Sequence, residues 1–256
     1  IQESSIQRYT TNIIELQARI NYVKQIAEHN ISAMAIYNQR DLRDDILPYR
    51  NQGISGRFQY NYDSRYLFEF NFGYNGTERL ESGNRFEFFP AVSAGWVASG
   101  ESFFEPIKDV VSHLKLRASL GVTGNDQTGR DGTANQAQRF IYIGETRLNV
   151  VPVYTGEEGG TKKSGPFLVQ YGINKAKWER SRKLDLGLDM VLFNKLNITA
   201  EYFYTHTYNI LMHRASWPYS LGHYTSKPWE NMGEVDTHGY ELSADYNQRI
   251  NQDLNI

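Results

Sequence analysis

Four histidines, His206, His213, His223 and His238, fall within one short stretch near the end of the chain, and imidazole is a common metal ligand. A metal site needs several donors converging at fixed spacing. His206 and His213 are seven positions apart across a strand-to-loop transition, which imposes no convergence, so they are read as solvated loop histidines. The run Gly124, Asn125, Asp126, Gln127, Thr128, Gly129, Arg130, Asp131, Gly132 carries oxygens and glycines as a calcium loop would. It lacks the spacing and the closing bidentate Glu of an EF-hand, and a turn is expected there instead. Glu157, Glu158, Glu179 and Glu201 offer carboxylates, and two suffice to hydrolyse a glycoside, but nothing in the sequence sets any of them as a pair. No G-x-S-x-G, H-E-x-x-H or phosphate-binding loop occurs. Cysteine is absent, which removes thiolate nucleophiles, thiolate metal sites and disulfides together. The expectation is no enzyme, no metal and no cofactor.

One further group could bind rather than react. Trp217, Pro218, Tyr219, Tyr224 and Trp229 cluster in a long connection late in the chain. Planar rings can stack on sugar or peptide faces, which suits capture of a nutrient; equally, they can pack the loop on itself or against a partner. The formal net charge of −2 leaves no basic footprint, so nucleic acid is not an expected partner.

The elements that position these residues are legible from alternation. Tyr66, Phe68, Phe70, Phe72 and Tyr74 are separated by Leu67, Glu69, Asn71 and Gly73, which on a strand gives one face of rings and one wet face. Leu184, Leu186, Leu188, Met190 and Leu192 repeat the pattern against Lys183, Asp185, Gly187 and Asp189. Nine strands are predicted, at residues 12–24, 29–38, 54–62, 65–75, 85–98, 114–122, 178–192, 196–208 and from about 239 onward. Pro90 within the fifth implies a bulge or an edge-like irregularity. The connections after strands one, three and seven are short, and those after strands two, four, six and eight are long (39–51, 76–84, 125–177 and 209–238). The connection after the fifth, 100–112, has room for one helical turn around Phe103, Phe104 and Ile107. Outer-membrane barrels segregate short turns and long loops to opposite ends in this way. The strands also approach the 9–11 residues, roughly, that span a bilayer with tilt. No apolar run is long enough for a membrane helix, which leaves a barrel open.

The fold class expected is all-β, an antiparallel transmembrane β-barrel, present in part. On this reading Phe68, Phe70, Phe72, Leu186, Leu188 and Ile198 meet lipid. Arg57, Gln59, Glu69, Asn71, Arg117, Asp185, Asp189 and Glu201 face the lumen. The chain opens on Ile-Gln-Glu-Ser-Ser with neither an initiator Met nor an apolar leader, so the natural N-terminus is expected upstream.

A resemblance sharpens this. Tyr62-Asp63-Ser64-Arg65-Tyr66-Leu67 is followed by Asn84-Arg85-Phe86-Glu87-Phe88-Phe89-Pro90-Ala91-Val92-Ser93-Ala94-Gly95-Trp96, then by Glu101-Ser102-Phe103-Phe104. Next comes Leu114-Lys115-Leu116-Arg117-Ala118-Ser119-Leu120-Gly121-Val122-Thr123-Gly124-Asn125. Together with Trp178-Glu179, Leu186-Gly187-Leu188-Asp189, Tyr202-Phe203 and Asn231-Met232-Gly233-Glu234-Val235, this resembles the SusC/RagA family of TonB-linked outer-membrane transporters of Bacteroidetes, over residues 49–246. The resemblance implies a barrel of about 22 strands around an N-terminal plug, of which residues 1–256 are about nine strands of wall from the C-terminal half, without the plug. It also implies a SusD-like surface lipoprotein as lid, TonB acting through the missing plug region, a glycan or peptide substrate, and a place in the Gram-negative outer membrane. Two other readings stand beside it: a passive porin or adhesin-type barrel, and a soluble carbohydrate-binding β-sheet protein.

Overall fold

The structure, a computed structural model, describes residues 11–43, 49–126, 140–155, 161–216, 218 and 228–247. Its strands are β1 (Asn12–Ile26), β2 (His29–Arg43), β3 (Tyr49–Tyr62), β4 (Tyr66–Thr77), β5 (Phe86–Val97), β6 (Val111–Asn125), β7 (Glu145–Thr155), β8 (Thr161–Gln170), β9 (Glu179–Leu192), β10 (Leu196–His213) and β11 (Trp229–Tyr246). Nine of them form one antiparallel sheet in the order β1-β2-β3-β4-β5-β6-β9-β10-β11; β7 and β8 pair only with each other. The sheet is open, with β1 and β11 as its two edges.

Register turns the sequence alternation into two faces. One row across the sheet reads Ile31, Tyr60, Phe68, Ala94, Ala118, Leu186, Tyr202, Tyr240. The adjacent row reads Ser32, Gln59, Glu69, Ser93, Ser119, Asp185, Phe203, Gly239. Because the side-chain period is two, one row lies on the apolar face and the next on the polar face, from β2 to β10. Several glycines make room for rings: a Cβ on Gly56 would meet the Phe72 ring at 2.4 Å, and one on Gly76 the Phe86 ring at 2.3 Å. Each of these pairs lies directly opposite in register, so a ring covers its neighbour's bare backbone.

The tight turns carry their own signature. Asp63 and Ser64 have φ of 50° and 54°, and Phe193 and Asn194 have 53° and 54°. Two successive left-handed residues make the turn whose twist matches antiparallel strands. Backbone hydrogen bonds from Arg65 N to Tyr62 O (3.0 Å) and from Lys195 N to Leu192 O (2.9 Å) close them.

Buried core is scarce. Among the described residues the buried apolar side chains are Leu80, Ala98, Phe104, Ile141, Ala176 and Trp178. Leu80, Ile141, Ala176 and Trp178 form one cluster, with Phe89 packed edge-on to Trp178 at 5.3 Å. Trp178 Nε1 donates to Arg85 O at 3.1 Å, tying the cluster to the start of β5.

Two sequence expectations need correction, and one alternative is decided. The connection 125–177 is not a bare loop but holds the β7–β8 hairpin. The connection 209–238 is shorter than expected, because β10 continues to His213 and β11 begins at Trp229. Those extensions mix polar and apolar residues on both faces, so no alternation announces them. Of the two alternatives at Pro90, no bulge forms: the β4–β5 ladder passes through Phe72 and Pro90 without a shift. The edge-like irregularity does occur, since the β5–β6 ladder runs only from Ala91 to Val97, and proline has no N–H to extend it. Register shifts occur elsewhere, among them on β6 between Val111 and His113 and on β10 between Thr207 and Ile210. At the latter, Asn209 adopts φ 58°, a conformation asparagine tolerates better than most residues.

Candidate functional site

The polar face carries two linked sets of side chains. On β2–β4, Ser32 Oγ donates to Gln59 Oε1 (3.0 Å), and Gln59 Nε2 donates to Glu69 Oε2 (2.5 Å). Asn71 Nδ2 donates to the other oxygen of Glu69 (2.6 Å), and Arg57 Nε donates to Asn71 Oδ1 (2.9 Å). On β6–β10, Ser119 Oγ donates to Asp185 (3.0 Å), and Arg117 donates to both Asp189 (3.2 Å) and Glu201 (3.1 Å). Thr199 Oγ1 adds a bond to Asp189 at 3.3 Å. All eight polar positions singled out in the sequence therefore share one face, and each is tied to a neighbour. A hollow of about 550 Å³ opens over this face, lined by Ser32, Gln59, Glu69, Ser93, Arg117 and Asp185 among others.

These contacts are half-exposed, with the Arg117 and Glu201 side chains at 36% and 26%. Hydrogen bonds among partly solvated charges hold geometry without much net energy. Such a surface is wettable and ordered, and it offers donors and acceptors to whatever passes over it. It holds no reactive pair: Glu201 is engaged by Arg117, and Glu179 accepts from Asn125 Nδ2 at 3.4 Å. Glu157 and Glu158 lie outside the described residues.

The opposite face is uncovered. Ile20 is 74% exposed, Leu242 78% and Tyr240 82%, and Phe68, Leu116 and Leu186 each exceed 40%. A protein dissolved in water does not present a contiguous apolar surface of this extent. Lipid covers it at no cost. Phe70, Phe72, Leu188 and Ile198 share this face by register.

Of the loop aromatics, Trp217, Tyr219 and Tyr224 lie outside the described residues. Trp229 opens β11 and packs tilted against His213, with ring centroids 3.7 Å apart, so it belongs to a strand end. His206 Nδ1 and the Tyr204 hydroxyl both bond Asp236 Oδ1, at 2.8 and 2.7 Å. His238 lies on β11, and His223 is outside the described residues. No group of three or more potential metal-ligating side chains converges among the described residues. Asp126, from the calcium-like run, sits 3.7 Å from Arg79; residues 127–132 of that run are outside the described set.

Sequence reasoning missed one polar node, at the end of the sheet where the short turns lie. Glu101 accepts from the Tyr66 hydroxyl (2.7 Å), from Trp96 Nε1 (3.3 Å) and from Arg65 Nη1 (3.0 Å). The Tyr66 hydrogen bond first, then those from Trp96 and Arg65, hold its carboxyl below the usual range against the opposing effect of desolvation. The signal was Glu101-Ser102-Phe103-Phe104, which the resemblance quoted without giving Glu101 a task.

Comparison with known proteins bears on this geometry. The chain is 26% identical to TonB-dependent receptor P3 of Formosa agariphila, over 96% of this chain and 26% of that protein. It is 27% identical to TonB-dependent receptor SusC of Bacteroides thetaiotaomicron, over 80% of this chain and 19% of that one. The RagAB peptide importer in its closed-closed state superposes with a TM-score of 0.74, covering 95% of this chain and 28% of that one at 18% identity, a likeness of fold. The chain thus spans about a quarter of the length of the curated relatives it matches. The family described as TonB dependent receptor-like, beta-barrel, matches residues 7–256, and the chain belongs to that family, as a partial wall of its antiparallel barrel.

Proposed function

We propose that residues 1–256 are part of the barrel wall of an energised outer-membrane importer for a large nutrient, a glycan or oligopeptide. The plug lies in the remainder of the receptor. The observation that carries this reading is the pairing of an uncovered apolar face with a hydrogen-bonded polar face on strands long enough to cross a bilayer. The apolar face meets lipid. Arg57, Gln59, Glu69, Asn71, Arg117, Asp185, Asp189 and Glu201 line the lumen, where they hydrate the path and contact the plug. The protein resides in the outer membrane, as its family does. TonB draws on the plug with inner-membrane energy and opens the lumen; the wall contributes passage, not chemistry, and is not an enzyme.

The long connections fall at the extracellular end. There Trp217, Tyr219, Tyr224 and Trp229 meet the substrate or a SusD-like lipoprotein lid, since Trp and Tyr dominate contacts of this kind. A passive porin or adhesin would share the wall but not the energy dependence. The test is uptake by cells carrying the intact receptor, with and without TonB. Import that persists undiminished without TonB overturns the energised reading, and loss of import on removing TonB supports it.

A further inference from the structure

The wall does not stop at its last ladder bond on the short-turn side. Between β5 and β6 runs a short 3-10 helix, Ser102–Ile107, with Phe103 65% exposed and Ile107 50% exposed. Val110 follows at 49%, and the adjoining β9–β10 turn adds Phe193 at 58%. Phe193 N donates to Val110 O at 2.9 Å, so the two connections form one surface. These four side chains belong to no strand, and immersed in water they would forfeit roughly 25 cal/mol for each Å² of apolar area left uncovered.

Two sets of contacts fix this surface against the apolar face. The Phe103 ring lies 6.3 Å from that of Trp96, and Trp96 occupies the apolar row opposite Leu116. Glu101, one residue before the helix, is gripped by Trp96, Tyr66 and Arg65. Phe104, edge-on to Phe103 at 6.5 Å, is only 3% exposed. Height agrees. From Phe86 to Trp96 is ten strand positions, which at about 3.4 Å each and a tilt of about 40° is near 25 Å, the height of a barrel's apolar band. Phe103 therefore lies just past the hydrocarbon edge, in the headgroup layer.

We propose that Phe103, Ile107, Val110 and Phe193 form an apolar foot that inserts into the periplasmic leaflet of the outer membrane, at its phospholipid interface. The proposal rests on the barrel reading above. Lipid is the occupant because the patch continues the lipid-covered face through Trp96. An aromatic at the interface, backed by a Trp whose N–H is satisfied by a carboxylate, is also the chemistry that boundary favours.

The test uses the intact receptor in phospholipid vesicles, with a nitroxide on a cysteine introduced at Phe103→Cys or Ile107→Cys. These 256 residues have no cysteine, and any cysteine elsewhere in the receptor is replaced by serine. Collisions with oxygen, which concentrates in lipid, are compared with those of a water-soluble nickel chelate. Labels at Phe70→Cys and Glu69→Cys serve as lipid and lumen references. The foot predicts an oxygen-favoured ratio at 103 and 107, several-fold above that at 69. Chelate-favoured collisions at 103 and 107 with an oxygen-favoured 70 overturn the foot and leave the barrel standing. Shielding from both reagents means a protein covers the patch, and that too overturns it. A chelate-favoured 70 overturns the barrel itself.

Discussion

Arg117 on β6 reaches Glu201 on β10 by crossing the strand between them. Arg117, Gly187 and Glu201 are consecutive partners in one register row, and a Cβ on Gly187 would come within 2.5 Å of Arg117 Nε. The bare backbone of β9 is the gap through which the guanidinium passes. Gly187→Val is therefore expected to displace Arg117 and to cancel its coupling to Glu201. An Arg117→Ala, Glu201→Ala double-mutant cycle by denaturant unfolding should give about 0.2–1 kcal/mol in the parent, as for other half-exposed pairs, and near zero with Gly187→Val. Unchanged coupling in the Gly187→Val background would show that the arginine takes another route.

Leu188 lies near the middle of β9 on the apolar face, opposite Leu116 and Ala200. Leu188→Arg is expected to cost about 2–4 kcal/mol in unfolding from lipid vesicles. Asp189→Asn, one position on and on the other face, should cost far less. Equal penalties would place both side chains in the same surroundings.

Glu101 gives the short-turn end a pH dependence. Its ordinary pKa is 4.5 and its folded value is lower, set first by the Tyr66 hydrogen bond. The stabilisation is thus complete above pH 4.5 and is lost as pH falls through the folded value. Glu101→Gln should lower the thermal midpoint of the intact receptor at neutral pH, and the gap to the parent should close below pH 4.5. A gap that stays constant on acidification would mean that the charge contributes nothing.

Trp229 and Trp217 should separate when tested singly. Trp229→Ala removes the ring contact with His213 and should loosen the β10–β11 end by about 0.5–1.5 kcal/mol, visible as faster amide exchange there. Trp217→Ala is expected to weaken uptake or lid association without altering barrel assembly. Wild-type uptake and lid binding by Trp217→Ala would remove that residue from the capture surface.

All nine sheet strands were legible in the sequence, and for a physical reason. Lipid on one side and water on the other force a strict two-residue alternation, as in Tyr66 to Tyr74 and Leu184 to Leu192. Where the chain leaves the bilayer the constraint lapses, and so does the signal: Trp229 to Glu234 continues β11 with no apolar face, and β7–β8 was unseen. Pro90 announces a missing donor, and the ladder to β6 does stop beside it, whereas the β10 bulge depends on one left-handed residue, Asn209, that nothing in the sequence singles out. The polar positions share one face by register, as their alternation implies, but their linkage is not readable from the sequence. Only register reveals that Gly187 is a passage for Arg117.

Every neighbouring pair in the sheet is joined by its own connection except β6 and β9, whose ladder meets across roughly fifty intervening residues. Closing a loop of that size costs only about 3 kcal/mol more than closing a two-residue turn. The ladder from Leu114 to Asn125 pairs with β9 without a shift, so the seam does not depend on what the intervening segment contains. The wall can therefore stay fixed while that insert is exchanged. At this seam, length and content can change without a change in the register of the strands on either side.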